Sequence, residues 1–475
     1  MNRIRTAVAS RLRVPVELGL LLAVYFGLAL TTLFMWQERG KFLVTGDEPH
    51  YLVMASGIVR HWTLEQTIPY KEEFATREIY PSGLAPRGSE PDPQNRHAIS
   101  GPNGLYSVHS IGLPLLLAVP YALGGIVGAK LSLVFLSGIA IVISWKISQA
   151  VCQDKRSQFW SVLAVAVGLP LIPASNQIYP DVPAGLICLA SAYCIVTPAG
   201  ARALTAGWGV RLAIAFLPWL HMKFAAPALV VSLALAYVAW RERRELRNAG
   251  LFVLPVLLSL ALLALYNHHA FGNALGPYPR DALEVSKTSL MVLLGLHVDQ
   301  NQGFLLQNPL HFIGLLSVGP LMAFNWRAAV FVFLTYLSLM VPNALHANWY
   351  GGWSFVGRFG WAPALVFFVP TIFGLSRLRV ASSQAFYSVV AASLALQAVF
   401  YLNYTFSMNF DFYNRAETTV LESYPILYGA VGRWLPALYA GEWAFQYSPN
   451  LVFAGLTLVL MAIGSWKSRR ILGRG

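Results

Sequence analysis

Long apolar runs alternate with short polar connections along almost the whole chain. Runs of roughly 20 apolar residues recur from Val14 to Trp466, and a helix of that length crosses a hydrocarbon layer about 30 Å thick. Because lipid offers the backbone no hydrogen-bond partner, such runs must be helices that satisfy their own amide groups. The pattern predicts an all-α polytopic membrane protein with about 11–13 transmembrane helices, organised as a single domain over residues 1–475.

Two long polar stretches interrupt this pattern and are predicted to be external loops, the first over residues 37–110 and the second over residues 267–308. Within the first loop, Glu48 to Trp62 has apolar residues at helical spacing, which is typical of an amphipathic helix at a membrane surface. The later part, Tyr80 to Gly104, contains five prolines and is predicted to be irregular or mobile. The apolar stretch from Ile111 to Gly125 is short and contains two prolines, so we expect it to dip into the interface without crossing.

Composition and charge placement support a membrane protein and argue against a nucleic-acid partner. The chain is 56% hydrophobic and 12% charged, whereas soluble domains carry about 25% charged residues. Its net charge of +13 comes from short cationic tracts at alternate connections, which is the bias of cytoplasmic loops. Both termini are therefore predicted to be cytoplasmic and the long loops external. Cys152, Cys188 and Cys194 have no ligand-like spacing and are predicted to be packing residues.

The most informative polar segment is TGDEPHY, residues 45–51, which follows the first predicted span. Asp47 and Glu48 precede Pro49, an arrangement suited to the first turn of a helix, where a carboxylate can cap free N–H groups. The functional alternative is that one carboxylate, held at the membrane rim, takes a proton from an incoming hydroxyl. The sequence leaves both interpretations open.

Two further polar segments are predicted to lie on the same outer side. His109 stands within YSVHSIGLPLLL and is either a pocket residue or a histidine packed in the core or the interface. Tyr179 and Asp181 stand in NQIYPDVP at an external connection. Asp181 either caps the helix that follows or supplies a second functional acid.

Cations also occur at two predicted outer helix ends. His221 and Lys223 interrupt the apolar stretch from Val210 to Trp240, which we divide into two short helices. A lysine there is costly unless it snorkels or contacts an anion such as a lipid-linked phosphate. Arg358 follows Trp349 and paired glycines in NWYGGWSFVGRF. Its planar fork suits phosphate oxygens, or it snorkels, while the tryptophans form an interfacial belt or a sugar platform.

The order of a first helix, an external Asp-Glu pair, a surface helix and many further spans resembles the GT-C superfamily of membrane glycosyltransferases. It looks like the bacterial branch that contains aminoarabinose transferases and protein O-mannosyltransferases, whose acidic residue at the start of the first external loop matches Asp47 and Glu48. The resemblance implies transfer of a sugar from a polyprenyl-phosphate donor to a lipid, glycan or protein acceptor. It also implies an active site on the external face of the bacterial cytoplasmic (inner) membrane.

The resemblance further implies roles for individual residues in an inverting transfer. Asp47 would be the general base, with Glu48 as its neighbour or alternate. The implied substrate-binding residues are His50, Tyr51, His109, Tyr179, Asp181, His221, Lys223, Trp349 and Arg358. Among these, His221, Lys223 and Arg358 would stabilise the departing phosphate. No His, Glu or Cys cluster has metal-ligand spacing, although Asp47 and Asp181 could share a divalent cation.

Other function classes remain open at this stage. A lipid-linked-glycan flippase or small-solute transporter would need ionisable groups near mid-membrane, whereas those of this chain are predicted to gather at one face. An oligosaccharide polymerase or ligase shares the external arginine but usually centres its chemistry on a late large loop. The predicted partners are the lipid-linked donor, its acceptor and membrane lipids, with no nucleic acid.

Overall fold

The computed structural model describes most of the chain. The described residues are 15–39, 44–81, 83–84, 96–197, 208–243, 246–277, 283, 285–345, 351, 354–406, 427–437 and 448–472. Helices dominate these residues, and one two-stranded antiparallel sheet accompanies them.

The described elements follow one another along the chain with mostly short connections. The helices are α1 (Val16–Glu38), α2 (Glu48–His61), α3 (Thr67–Thr76), α4 (Gly112–Val151), α5 (Lys155–Ala166), α6 (Leu171–Ser175), α7 (Asp181–Val196), α8 (Gly209–Leu220), α9 (Ala225–Arg243), α10 (Leu246–Phe271), α11 (Lys287–Val298), α12 (Phe304–Gln307), α13 (His311–Ala344), α14 (Arg358–Ala381), α15 (Ser383–Phe406) and α16 (Ser448–Leu472). The strands are β1 (Ala98–Gly101) and β2 (Gly104–Ser107), and 3-10 turns cover Met222–Phe224 and Gly429–Trp434.

Eight of the described helices are long and apolar enough to cross a membrane. They are α1, α4, α9, α10, α13, α14, α15 and α16. The helices α7, α8 and α11 are also apolar but shorter. Over the described part of the chain, the protein is therefore an all-α polytopic membrane protein, as the apolar pattern predicted.

Two of the eight helices, α4 and α13, contain a break in their helical geometry. In α4 the break falls at Gly124 and Gly125, and Gly125 has a φ of 58°, which a residue without a β-carbon adopts readily. The stretch from Ile111 to Gly125 is thus continuous with the next span through this break. In α13 the break falls at Asn325, whose side-chain oxygen accepts a hydrogen bond from the backbone N–H of Ala328 at 3.1 Å and so caps the second half.

The helix α14 lies inside the bundle, and its 18-residue apolar segment is completely buried. Small residues let neighbouring helices approach it closely. A β-carbon at Gly374 would lie 2.8 Å from the backbone oxygen of Ile313, and one at Gly185 would lie 2.9 Å from the Cα of Ala362. Because α14 begins at Arg358, the guanidinium group of Arg358 lies at the first turn of this buried helix.

The helix α2 is buried within the protein over most of its length. All residues from Glu48 to Gly57 are buried, and the helix packs against α4. The helical spacing and Pro49 in the first turn predicted the helix correctly. Its expected location at a membrane surface stays a prediction. The acidic start of the first loop is therefore held inside the fold.

The strands β1 and β2 form a hairpin at the end of the stretch Tyr80–Gly104, which was predicted to be irregular. Ala98 pairs with Ser107 in an antiparallel register. The side-chain amide of Asn103, at the turn, donates to the backbone oxygen of His269 at 2.8 Å and so docks the hairpin against α10. The prediction is therefore wrong for the described end of this stretch, while residues 82 and 85–95 lie outside the described part of the chain.

Candidate functional site

An ion pair between Asp47 and Arg358 forms the centre of the candidate site. Nη1 of Arg358 donates to Oδ2 of Asp47 at 2.8 Å, and the two side chains are 13% and 25% exposed. Asp47 directly precedes α2, yet its carboxylate makes no capping hydrogen bond with that helix. The capping interpretation therefore does not describe Asp47, whose charge is directed at the start of α14.

The backbone before Arg358 is held in a conformation that requires glycine. Gly357 has a φ of 79°, and a β-carbon at this position would overlap Nε2 of Gln307. Its N–H donates to Oε1 of Gln302 at 2.8 Å. The positive φ and the close approach of Gln307 leave glycine as the residue that fits at position 357. The backbone held in this way determines where α14 begins and hence where Arg358 lies.

The charges around Asp47 keep its carboxyl group ionised. Burial is the largest single influence and opposes ionisation, but the charge of Arg358, its hydrogen bond and the influences of His109 and His97 together outweigh it. The pKa of Asp47 therefore lies well below its usual range. Asp47 is negatively charged at neutral pH and can accept a proton or bind a cation. With so low a pKa it is a weak base for as long as Arg358 remains paired with it.

Glu48 is completely buried and anchors the loop. Its Oε2 accepts hydrogen bonds from the backbone N–H of Thr45 at 2.9 Å and from the hydroxyl of the same residue at 3.4 Å. Its Oε1 accepts from the backbone N–H of Ile178 at 2.6 Å and lies 3.5 Å from Nζ of Lys130. Burial raises the pKa of Glu48 in spite of the neighbouring lysine. Both oxygens are thus occupied by contacts with three other parts of the chain.

A second ion pair lies next to the first. Nζ of Lys223 donates to Oδ1 of Asp181 at 2.8 Å. The same Nζ lies 4.4 Å from the ring centre of Phe359, and Cζ of Arg358 lies 5.2 Å from that ring. Lys223 is therefore paired inside the protein, and Asp181 uses its carboxylate for this pair. Two acids and two cations are gathered around one aromatic ring.

Tyr179 and His221 support this cluster through contacts with the backbone. The hydroxyl of Tyr179 donates to the backbone oxygen of Thr45 at 3.3 Å, and its ring centre lies 4.3 Å from Cζ of Arg358. Nδ1 of His221 accepts from the N–H of Lys223 at 3.2 Å and caps the 3-10 turn that separates α8 from α9. The break predicted between two short helices thus orients Lys223.

Three histidines pack together beside the first ion pair. Nδ1 of His97 lies 3.0 Å from Nε2 of His109. The rings of His97 and His50 stack with 4.0 Å between their centres, and Nδ1 of His50 lies 2.7 Å from the hydroxyl of Tyr70. The ring of Tyr51 contacts His109 with 5.0 Å between centres. The contacts of α2 with the hairpin therefore build one histidine cluster.

Burial lowers the pKa of all three imidazoles. The pKa of His109 falls to about 4, because its desolvation outweighs the attraction of Asp47. The pKa values of His97 and His50 are also lowered, chiefly by burial. The rings are therefore neutral at pH 7, the form in which imidazole binds metal ions. One candidate ligand atom from each of Asp47, His97 and His109 lies within 4.8 Å of the others.

His97 is the residue of this cluster that the sequence interpretation missed. The segment HAISGPNGLYSVH has a histidine at each end and an Asn-Gly pair between them. An Asn-Gly pair between strand-like residues is a strong local signal for a hairpin, and a hairpin brings its two ends together. The prolines of the same loop predicted irregular structure instead.

The predicted site residues other than Trp349 form one connected group of contacts; Trp349 lies outside the described residues. The group contains Asp47, Glu48, His50, Tyr51, His109, Tyr179, Asp181, His221, Lys223 and Arg358. The sharing of a cation by Asp47 and Asp181 stays a prediction; in the structure Asp47 is paired with Arg358 and Asp181 with Lys223. Comparison with known proteins adds no assignment: no family model matches the chain, and no curated protein is significantly similar to it.

Proposed function

We propose that this chain is a glycosyltransferase of the GT-C type, which moves a hexosyl or pentosyl group from a polyprenyl-phosphate donor to an acceptor. The proposed location is the external face of a bacterial cytoplasmic membrane. The observation that carries the proposal is the contact between Asp47 and Arg358 with the pair of Lys223 and Asp181 beside it. A carboxylate that accepts a proton and cations that bind phosphate are the groups such a transfer requires.

The two cations stand at the ends of candidate spans, where the phosphate of a lipid-linked donor would be. Arg358 is the first residue of the span Arg358–Ala381, and Lys223 is the second residue of the span Met222–Arg241. A polyprenyl chain in the hydrocarbon layer would bring its phosphate to this depth. Both cations are already paired with acids, so the phosphate would compete with Asp47 and Asp181 for them.

Arg358 has donor capacity that a phosphate would use. Its guanidinium carries five N–H donors, one of which bonds to Asp47. Its Nε is buried without a hydrogen-bond partner among the described residues. A buried unpaired donor costs roughly 1–3 kcal/mol, and a phosphate oxygen would remove that cost. This favours an anionic ligand beside Arg358.

The proposed reaction is a single displacement with inversion at the anomeric carbon. The acceptor hydroxyl gives its proton to Asp47 while its oxygen bonds to that carbon, and the bond from the carbon to the donor phosphate breaks. Arg358 and Lys223 stabilise the charge that develops on the departing phosphate. When the phosphate draws Arg358 away, the pKa of Asp47 rises and the carboxylate becomes a stronger base.

Transport of a lipid-linked glycan or a small solute is the alternative function. The observation that favours it is Lys130, which is 2% exposed and lies within the span Gly112–Val151. Ionisable groups inside membrane spans often line transport pathways. A transporter would move its substrate without breaking the bond between the sugar and the phosphate.

The product of the reaction distinguishes these functions. The purified chain in detergent is given polyprenyl-phosphate sugars that carry a labelled sugar, and release of free polyprenyl phosphate is measured. The same protein in lipid vesicles is tested for uptake of the label. We expect release in detergent with an acceptor present. Uptake without cleavage of the phosphate bond would instead establish the transporter.

A further inference from the structure

We propose that Asp47, His97 and His109 form a binding site for a first-row transition-metal ion of the Zn²⁺ type. One oxygen or nitrogen atom from each side chain lies within 4.8 Å of the other two. Two imidazoles and a carboxylate are a frequent ligand set for such ions, and three protein ligands leave a position for water or substrate. The proposal of metal binding is argued from this geometry, whereas a use of the ion in sugar transfer rests on the proposed function.

The distance between the two imidazole nitrogens suits one shared ion. Nδ1 of His97 lies 3.0 Å from Nε2 of His109. Two nitrogens bound tetrahedrally at about 2.0–2.1 Å from a zinc ion lie roughly 3.3 Å apart. A movement of a few tenths of an ångström would therefore replace the hydrogen bond between the rings with two metal bonds.

The hairpin holds the two histidines at this distance. Ala98 and Ser107 form its terminal pair, so His97 and His109 lie just beyond that end. The backbone oxygen of His97 accepts a hydrogen bond from the N–H of Val108 at 2.8 Å. His97 has a φ of 41°, an uncommon left-handed conformation for a residue with a β-carbon. Surroundings that maintain such a conformation are typical of functional positions.

Neighbouring side chains orient each ligand. The ring of His50 stacks on His97 and is itself held by the hydroxyl of Tyr70. Arg358 holds the carboxylate of Asp47 through Oδ2. Outer contacts of this kind set the orientation and basicity of metal ligands.

The charge of Arg358 couples the metal site to the donor. The guanidinium repels a cation bound to Asp47, so a donor phosphate that neutralises Arg358 would strengthen metal binding. A metal ion beside Asp47 would in turn lower the pKa of an acceptor hydroxyl bound at its open position. A bound sugar donor would thus raise the affinity of the metal site for the ion.

The experiment measures metal binding by the full chain, purified in detergent with an affinity tag that contains no histidine. Co²⁺ is the probe because its visible absorption bands report coordination, and Zn²⁺ is the competitor. We expect one Co²⁺ per chain, displaced by Zn²⁺. We expect His97→Gln and His109→Gln to weaken binding by more than about 100-fold, beyond the loss typical of an outer contact. His61→Gln is the matched control, because Nε2 of His61 contacts Glu72 at 2.9 Å in the same loop.

Absence of stoichiometric Co²⁺ binding by the unmodified chain would overturn the proposal, and so would a His109→Gln chain that binds Co²⁺ as tightly as the unmodified one. A thermal unfolding scan provides a second measurement. Zn²⁺ should raise the Tm of the unmodified chain and of His61→Gln but not that of His109→Gln, and EDTA should reverse the effect. Neither measurement contains a sugar donor, so its result is independent of whether the transferase proposal succeeds.

Discussion

Asp47 and Arg358 are 311 positions apart in the chain, and a hydrogen bond of 2.8 Å joins their side chains. The guanidinium keeps the carboxyl ionised and lowers its pKa. The carboxylate in turn compensates a largely buried positive charge. A change at either residue is therefore expected to alter both proton transfer and phosphate binding.

Asp47→Asn should remove the proposed base with little change in shape. The amide still accepts a hydrogen bond from Arg358, so the protein should purify folded. Transfer from the lipid-linked donor should fall by about 10²–10⁴-fold, the usual contribution of a positioned acid or base. The measurement is release of polyprenyl phosphate, with size-exclusion chromatography as the test of folding.

The matched control for this variant is Glu72→Gln. Glu72 belongs to the same loop, is 40% exposed and contacts only His61 among the ion pairs of the described residues. Its activity should equal that of the unmodified chain. Full activity of Asp47→Asn would remove Asp47 from the chemistry.

Arg358→Lys should weaken binding of the donor more than it slows the bound complex. Lysine keeps the charge but lacks the planar guanidinium, which can donate hydrogen bonds to a phosphate and to a carboxylate at the same time. Loss of one hydrogen bond to a charged group corresponds to about 10–100-fold in the KM for the lipid-linked donor. Arg60→Gln is the control, since Arg60 is 41% exposed and pairs with Glu78. A lower kcat at unchanged KM would show that Arg358 acts only on Asp47.

Gly357→Ala should displace Arg358 and lower transfer activity. The new β-carbon would overlap Nε2 of Gln307, and alanine is also strained at a φ of 79°. Gly125→Ala separates the two causes, because Gly125 has a φ of 58° but no atom within 4 Å of its added β-carbon. We expect both variants to lose stability, measured as Tm, and only Gly357→Ala to lose activity beyond its folded fraction. Equal activity per folded chain would contradict the positioning role of Gly357.

Glu48→Gln should lower the free energy of unfolding but have a smaller effect on the rate of sugar transfer. One of its two oxygens would become an NH₂ group, which cannot accept from the N–H of Thr45 or Ile178. Lys130 would also lose its carboxylate. Breaking contacts of this kind costs about 2–5 kcal/mol in the free energy of unfolding.

A double-mutant cycle with Lys130→Met measures how much of that cost is ionic. If the ion pair dominates, the double variant Glu48→Gln/Lys130→Met should regain much of the lost stability. A Glu48→Gln chain that unfolds normally but transfers no sugar would give Glu48 a chemical role in place of an anchoring one.

The sequence by itself determined the class of the protein and where its chemistry should be sought. Helix formation in lipid depends on local composition, because each backbone must satisfy its own hydrogen bonds. The apolar runs therefore indicated an all-α polytopic membrane protein, and the local helix start at Pro49 identified α2. Polar residues at predicted helix ends drew attention to Asp47 and Arg358, since charges there are costly without a role.

Only the tertiary structure decided which of these groups are partners. It pairs Asp47 with Arg358, buries Glu48 against Lys130, and adds His97 to the cluster. Such pairings depend on long-range packing of helices and a hairpin. This packing produces no periodic pattern of residues that the sequence would show. Local patterns report what each segment can form, whereas the contacts between segments depend on how all of them pack at once.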